Sequence, residues 1–152
     1  MIQVAFSFGS NLGNGEENIL KSLKLLEEND IDILAVSSFY KTNPEGFLSE
    51  NFFTNAVAIA ETNLSPNDLI ELVLKIELEM GRKRNSDNYE DRIIDLDVLL
   101  YGKEVINNDM AIIPHPRMHL RRFVLEPLSE IAPNWEHPVL KSKIIDVLKH
   151  LN

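Results

Sequence analysis

The chain contains no cysteine. That excludes a disulfide framework, a thiolate zinc site and a cysteine nucleophile. It also lacks any long apolar run, and no stretch approaches the ~20 residues of a membrane-spanning helix. No basic segment followed by an apolar one opens the sequence, so a soluble, cytoplasmic protein with no membrane partner is expected. Positive charge is scarce. Lys and Arg number 15 against 24 Asp and Glu, a formal net charge of −9, which argues against the extended basic surface that a nucleic-acid partner requires. Neither a repeat nor a low-complexity stretch interrupts the 152 residues, of which 44% are apolar. One domain spanning 1–152, with a proper core, is therefore expected, as a monomer.

The scarce arginines are confined. Arg82, Arg84, Arg92, Arg117, Arg121 and Arg122 all fall between positions 82 and 122. A planar guanidinium grips phosphate or carboxylate bidentately and keeps its charge when partly buried. Inside the same window lies Arg92-Ile-Ile-Asp-Leu-Asp-Val-Leu-Leu-Tyr101. Its alternation predicts a strand over 93–101, with Asp95 and Asp97 on one face together with Leu99 and Tyr101. Two residues of strand rise separate the carboxylates by roughly 6.6 Å. At an effective dielectric near 20 they repel by about 2.5 kcal/mol. Such a pair also describes the wet face of an ordinary half-exposed strand. The arginines beside it favour a different use: carboxylates for metal and guanidinium groups for phosphate point to a nucleoside triphosphate with magnesium.

Further elements follow from periodicity and punctuation. Ile2 to Phe8 alternates, with Val4, Phe6 and Phe8 on one face, as a strand does. The loop Gly9-Ser-Asn-Leu-Gly-Asn-Gly15 leads into a helix to about Glu28, buried along Ile19, Leu20, Leu23 and Leu26. Strands are predicted over 33–40 and 52–60. Ser65 caps a second helix that starts on Pro66, carries Leu69, Leu72, Val73, Ile76 and Met80 inward, and ends at Gly81. The order β-α-β-β-α-β, closed by the aspartate strand, predicts an α+β fold, the ferredoxin-like sandwich with an antiparallel sheet. A small C-terminal hairpin (104–106 with 111–113) and a closing helix from about 143 to 151 complete it. The sheet face opposite the helices is left for a site.

Other residues carry potential chemistry. The Gly9–Gly15 loop follows a strand and opens a helix, yet fits neither G-x-G-x-x-G nor the Walker pattern, so a tight turn is its expected role. Asn55 shares a strand face with Phe53, Val57 and Ile59, and a buried amide must find partners in the backbone or in a ligand. Pro114-His115-Pro116-Arg117 displays His115 on a rigid loop, with Arg121 close behind and Phe123 as either core or a stacking surface. Glu77 lies one helical step from Val73 and Met80, where a merely solvated carboxylate is the plain alternative to a functional one.

With these residues laid out, the chain resembles the 6-hydroxymethyl-7,8-dihydropterin pyrophosphokinase family nearly end to end. The resemblance rests on Phe8-Gly-Ser-Asn-Leu12, Ser38-Phe-Tyr-Lys-Thr42, Asn55-Ala-Val and Ile76-Glu-Leu-Glu-Met-Gly-Arg82. It continues through Arg92-Ile-Ile-Asp-Leu-Asp-Val-Leu-Leu, Pro114-His115 and Arg121-Arg-Phe-Val-Leu-Glu-Pro-Leu128. It implies transfer of pyrophosphate from ATP to the pterin's hydroxymethyl oxygen, leaving AMP. On the matching positions Asp95 and Asp97 would hold two magnesium ions, and Arg82 and Arg92 would be catalytic, neutralising charge on the transferring group. His115, Arg121, Arg84 and Arg92 would contact ATP, with Glu77 near the adenosine. The pterin would stack between Phe53 and Phe123, its polar edge read by Asn55 and by the chain around Thr42 to Glu45.

Departures from the family pattern fall in the segment before Arg92. Glu90-Asp91 replaces a small residue and proline, Tyr89 stands at an aromatic position often filled by Trp, and Asn85 where a basic residue is common. The added negative charge is expected to weaken ATP binding or alter closure of that segment. Two other classes were open from the residues: a palm-type nucleotidyl transferase or cyclase, disfavoured by the net charge, and a non-catalytic ligand-sensing domain.

Overall fold

The computed structural model describes residues 1–43, 51–81 and 92–151. Alternation at the N-terminus becomes β1 (Ile2–Ser10), the strand on which the sheet is built. On one side it pairs antiparallel with β4 (Phe53–Thr62), in register from Ile2↔Thr62 to Ser10↔Thr54. On the other it pairs antiparallel with β5 (Asp95–Tyr101), where Ser7 faces Asp97 and Gly9 faces Asp95. The segment expected as one strand over 33–40 is two. β2 (Asp32–Val36) and β3 (Tyr40–Thr42) both pair with β4. The strand order is β2-β4-β1-β5, with β3 beside β4. Ser37 bridges the break: its N–H donates to the Val57 carbonyl at 2.8 Å, and its hydroxyl accepts from the Val57 N–H at 2.9 Å.

Two helices cover one sheet face. α1 (Gly15–Glu27) is capped by the Asn14 side chain, which accepts from the Glu17 N–H, and α2 (Pro66–Glu79) by Ser65, which accepts from the Asp68 N–H. Their apolar stripes, including Ile19, Leu23, Leu69, Val73 and Ile76, pack on Val4, Phe6 and Phe8 of β1 and on Leu96 and Val98 of β5. This is the ferredoxin-like sandwich that the element order predicts. Leu20, expected on the buried stripe, is 55% exposed. Tyr101 also departs from expectation. The β1–β5 register slips between Ala5 and Phe6, an irregularity at Leu99 that turns the last residues of β5 over. Tyr101 therefore joins the helix-covered core, and Leu99 and Leu100 both serve the opposite face.

That opposite face is only half open. A helix not anticipated from sequence, α3 (Arg122–Ile131), packs Val124, Leu125 and Leu128 onto Ala5, Val57 and Leu99, with Ile144 of the C-terminal helix α4 (Ile144–Lys149) beside them. The cover reaches as far as the Ala5–Val57–Leu99 level. Beyond it, β1, β4 and β5 present Ser7, Gly9, Phe53, Asn55, Asp95 and Asp97 to a cleft. The expected hairpin is present as β6 (Ile106–Asn107) and β7 (Ile112–Ile113), and a second small one pairs β8 (Glu136–His137) with β9 (Ser142–Lys143). Among the described residues no helix is long and apolar enough to cross a membrane.

Candidate active site

The cleft is built around one row of the sheet. Register aligns Asn55 of β4, Gly9 of β1 and Asp95 of β5 side by side. A residue with no side chain stands between an amide and a carboxylate, so the row is a trough. A Cβ at Gly9 would lie 3.4 Å from Asn55 Oδ1, 3.5 Å from the Phe53 ring and 3.8 Å from Asp95 Cβ. A side chain at Gly9 would therefore occupy the floor of the trough, in contact with all three neighbours. Asn55 is 5% exposed, and its Nδ2 donates to the Thr42 hydroxyl at 2.7 Å. That bond fixes the amide and assigns its orientation.

Each wall is an aromatic ring with an arginine. The Arg92 guanidinium carbon sits 5.6 Å from the Phe53 ring centroid, and that of Arg121 sits 5.5 Å from the Phe123 centroid, both within cation–π range. Arg92 Nη1 also donates to Asp95 Oδ2 at 3.3 Å. Its backbone is held from both sides by Asn11. The Arg92 N–H donates to Asn11 Oδ1 at 2.7 Å, and the Arg92 carbonyl accepts from the Asn11 N–H at 3.0 Å. Asn11 was not singled out in the sequence. Its signal was a polar residue in the turn after β1, which is buried to 6% exposure by this bridge.

His115 is placed beside Asp97, its Nε2 3.9 Å from Asp97 Oδ2. The ring is oriented through its backbone, whose N–H donates to the Leu99 carbonyl at 2.9 Å. Nδ1 accepts from the Arg117 N–H at 3.1 Å, so a neutral ring carries its proton on Nε2. Burial pushes the His115 pKa down to about 4, helped by the Arg121 and Arg117 charges and opposed by Asp95. Near neutral pH His115 is an uncharged N–H donor pointed at the carboxylate pair, a competent phosphate contact.

Eight residues expected at the site therefore share one cleft of about 600 Å³, counting its open mouth: Thr42, Phe53, Asn55, Arg92, Asp95, Asp97, Arg121 and Phe123. His115 stands next to it. Arg82 and Arg84 lie outside the described residues, as do Glu45, Asn85, Tyr89, Glu90 and Asp91. Glu77 is not among the residues that line the cleft. It is 1% exposed on the core side of α2, and its Oε2 accepts from the Leu96 N–H at 2.9 Å. A merely solvated carboxylate does not describe that position. Glu77 instead ties the outer edge of β5 at the residue between the two aspartates.

A family model described as 7,8-dihydro-6-hydroxymethylpterin-pyrophosphokinase matches residues 5–133. The chain belongs to this family. A 2-amino-4-hydroxy-6-hydroxymethyldihydropteridine pyrophosphokinase from Haemophilus influenzae is 41% identical over 149 residues, 97% of this chain and 91% of that protein. The folic acid synthesis protein FOL1 of Dictyostelium discoideum is 42% identical over 137 residues, 90% of this chain but 20% of that protein. The chain thus spans a fifth of that relative's length. A solved structure described as an HPPK-DHPS in complex with substrates superposes with a TM-score of 0.76 at 14% identity, over 97% of this chain and 43% of that one. The pyrophosphokinase fold extends over essentially the whole chain.

The donor set of the cleft suits a hard divalent cation. Asp95 and Asp97 offer oxygen ligands from one strand face, with side chains 30% and 31% exposed. Among the described residues no group of three or more acidic, His or Cys side chains could hold an ion. Oxygen ligands of this kind are the ones hard divalent cations take.

Proposed function

We propose that this chain transfers the terminal pyrophosphate of ATP to the hydroxymethyl oxygen of 6-hydroxymethyl-7,8-dihydropterin, releasing AMP, a step of folate biosynthesis. The observation that carries it is the Asn55–Gly9–Asp95 row, flanked by Phe53 and Phe123. One trough presents a fixed amide, bare backbone between two rings, and a carboxylate pair at its end. A planar pterin bound there directs its substituent toward the carboxylates.

The residues divide the work by chemistry. Phe53 and Phe123 stack the ring, and Asn55, oriented by Thr42, reads its polar edge. Asp95 and Asp97 would hold two magnesium ions, which supply neutralisation of triphosphate charge and acidify the hydroxyl. Arg92 and Arg121 place fixed positive charge beside the transferring group, and His115 adds a neutral donor. Arg82 is assigned as a second catalytic arginine, and Arg84 as an ATP contact. The new bond joins the pterin oxygen to the β-phosphorus, while the bond from that phosphorus to the oxygen bridging it to the α-phosphorus breaks. The bridging oxygen leaves with AMP and the hydroxyl proton goes to water. No side chain is needed as a dedicated base.

Incubation with ATP, magnesium and the hydroxymethyl pterin should yield AMP and a pterin diphosphate in equal amounts. Chelation should stop the reaction and magnesium restore it. Asp97→Ala should lower turnover by roughly a hundredfold or more. Absence of AMP from the wild-type protein, or full activity in Asp97→Ala, refutes the assignment.

A further inference from the structure

The pterin trough needs two walls from different parts of the chain, β3 with Thr42 and α3 with Phe123. Pairing to β4 seats the first wall and packing on the sheet seats the second, and a further contact joins the two. At Ser37 the chain leaves the β2 ladder, and the next N–H, that of Ser38, has no strand partner. It donates instead to the carboxylate of Glu130 in the last turn of α3, at 3.0 Å to one oxygen and 3.2 Å to the other. The Ser38 hydroxyl donates to the same carboxylate at 2.9 Å, and the Tyr40 hydroxyl at 2.7 Å. A charged acceptor therefore gathers a backbone N–H and two hydroxyls from one short segment.

Position makes this more than surface decoration. Glu130 and Phe123 are seven residues apart, two helical turns, so they lie on one stripe of α3. Tyr40 and Thr42 are two apart on β3 and so share a face. Two rails run side by side, tied at the Glu130–Tyr40 end and open at the Phe123–Thr42 end. The tie sets the width of the gap in which the ring stacks and, through Thr42, the aim of Asn55. We propose that Glu130 is a positioning residue for the pterin, holding α3 to the Ser38–Tyr40 segment so that the stacking trough is preformed before ligand arrives. The inference rests on the pterin reading of the trough given above. Glu130 and Tyr40 touch none of the proposed phosphate or metal ligands, so the loss should fall first on the pterin, with a smaller effect on ATP through Arg121 at the α3 N-cap.

Untying the rails lets the walls separate, and apparent affinity falls by the fraction of molecules that remain competent. Pterin binding without nucleotide, followed by the ligand's fluorescence, should weaken about tenfold in Glu130→Ala if one molecule in roughly ten keeps the closed width. ATP affinity should stay within about twofold. In turnover the loss should fall on the pterin KM, with kcat at saturating pterin nearly unchanged. Glu130→Gln keeps one acceptor oxygen and should recover part of the affinity. Tyr40→Phe removes one hydroxyl, leaves the fold and the Ser38 bonds in place, and should weaken the pterin alone by a few-fold. Combined with Glu130→Ala it should add nothing, because both act through the same tie. Pterin affinity within twofold of wild type in both Tyr40→Phe and Glu130→Ala overturns the proposal. An equal loss for ATP and pterin also overturns it, since that marks general loosening of the fold. Failure of the wild-type protein to bind pterin at all would instead strike the reading of the trough.

Discussion

Removing the Glu77 carboxylate separates a structural role from a nucleotide contact, because the two predict losses in different quantities. Glu77 is 1% exposed and accepts the Leu96 N–H. Leu96 is itself 1% exposed, so in Glu77→Ala that N–H has no water to turn to. A buried donor left without an acceptor costs about 1–3 kcal/mol. The missing methylene adds about 0.8 kcal/mol of lost burial. A total near 2–4 kcal/mol is a large part of the ~5–15 kcal/mol that holds a domain of this size together. Urea unfolding should show the midpoint falling with little change in slope. Glu77→Gln retains an acceptor oxygen of the same reach and should lose about half as much. A functional consequence follows from place. Leu96 is the residue between Asp95 and Asp97, so freeing its backbone loosens the spacing of the carboxylates and should raise the magnesium needed for half-maximal turnover, by about tenfold. A Glu77→Ala protein within about 0.5 kcal/mol of wild-type stability refutes the tie. If that same protein showed a raised KM for ATP alone, the carboxylate would be touching nucleotide after all.

Other perturbations address the trough and the histidines. Gly9→Val should leave stability nearly intact yet weaken pterin binding roughly a hundredfold, because a branched side chain there fills the floor and displaces the ring by an ångström or more; unchanged pterin affinity by fluorescence titration would place the ring elsewhere. The Tyr40 hydroxyl is pushed up to about 12, first by its hydrogen bond to Glu130 and then by burial. Its phenolate absorbance should therefore appear well above the ordinary tyrosine range, and in Glu130→Ala should move back toward that range, with the share due to burial remaining. The stability this raised value contributes is present below pH ~10 and lost as pH rises toward the folded value. His137 runs the other way. Burial, then the neighbouring His119 charge, depresses its pKa, so the neutral ring stabilises the fold above pH ~6.5 and that contribution is lost as pH falls below it. Unfolding free energy of the magnesium-free protein should decline between pH 7 and 5, less steeply in His137→Gln; a flat profile would mean the ring is hydrated in the folded state.

Periodicity made the helix-covered half of the fold legible. β1, α1, β4, α2 and β5 are each announced by a stripe or an alternation bounded by glycine, proline or a capping side chain, and their order is enough to choose the sandwich. Two of the departures have clear local causes. A slip of register in the β1–β5 pair is invisible to a rule that assumes strict period two, and so Tyr101 was placed on the wrong face. α3 carries Pro127 in mid-helix, where a proline removes one backbone hydrogen bond and ordinarily argues against a helix. The Val124, Leu125 and Leu128 stripe was there to be seen, and burial of these three against β1, β4 and β5 outweighs the missing bond.

The omission of α3 matters more to the site than to the fold. Without it, the second sheet face is a flat, open surface, and Asp95, Asp97, Asn55 and Phe53 are merely neighbours on it. α3 covers the face up to Ala5, Val57 and Leu99 and stops. The edge of that cover is where Phe123 and Arg121 stand, opposite Phe53 and Arg92. A one-sided stacking platform thereby becomes a two-walled trough. The chemistry-bearing residues were legible because charge and amide groups stand out in apolar runs. What confines them was not, because it depends on where a helix ends and on backbone bonds such as those between Asn11 and Arg92. On the pterin reading proposed above, specificity for a flat bicyclic ring would arise from that boundary: Gly9 would supply the depth, Asn55 the edge recognition, and the end of α3 the second wall. Phe123→Ala should keep the carboxylate pair and its affinity for magnesium while weakening the pterin, since Val124, Leu125 and Leu128 still hold α3 on the sheet. Isothermal titration with each ligand separately would show it, and parallel loss of both would mean that Phe123 supports the whole cleft rather than one side of it.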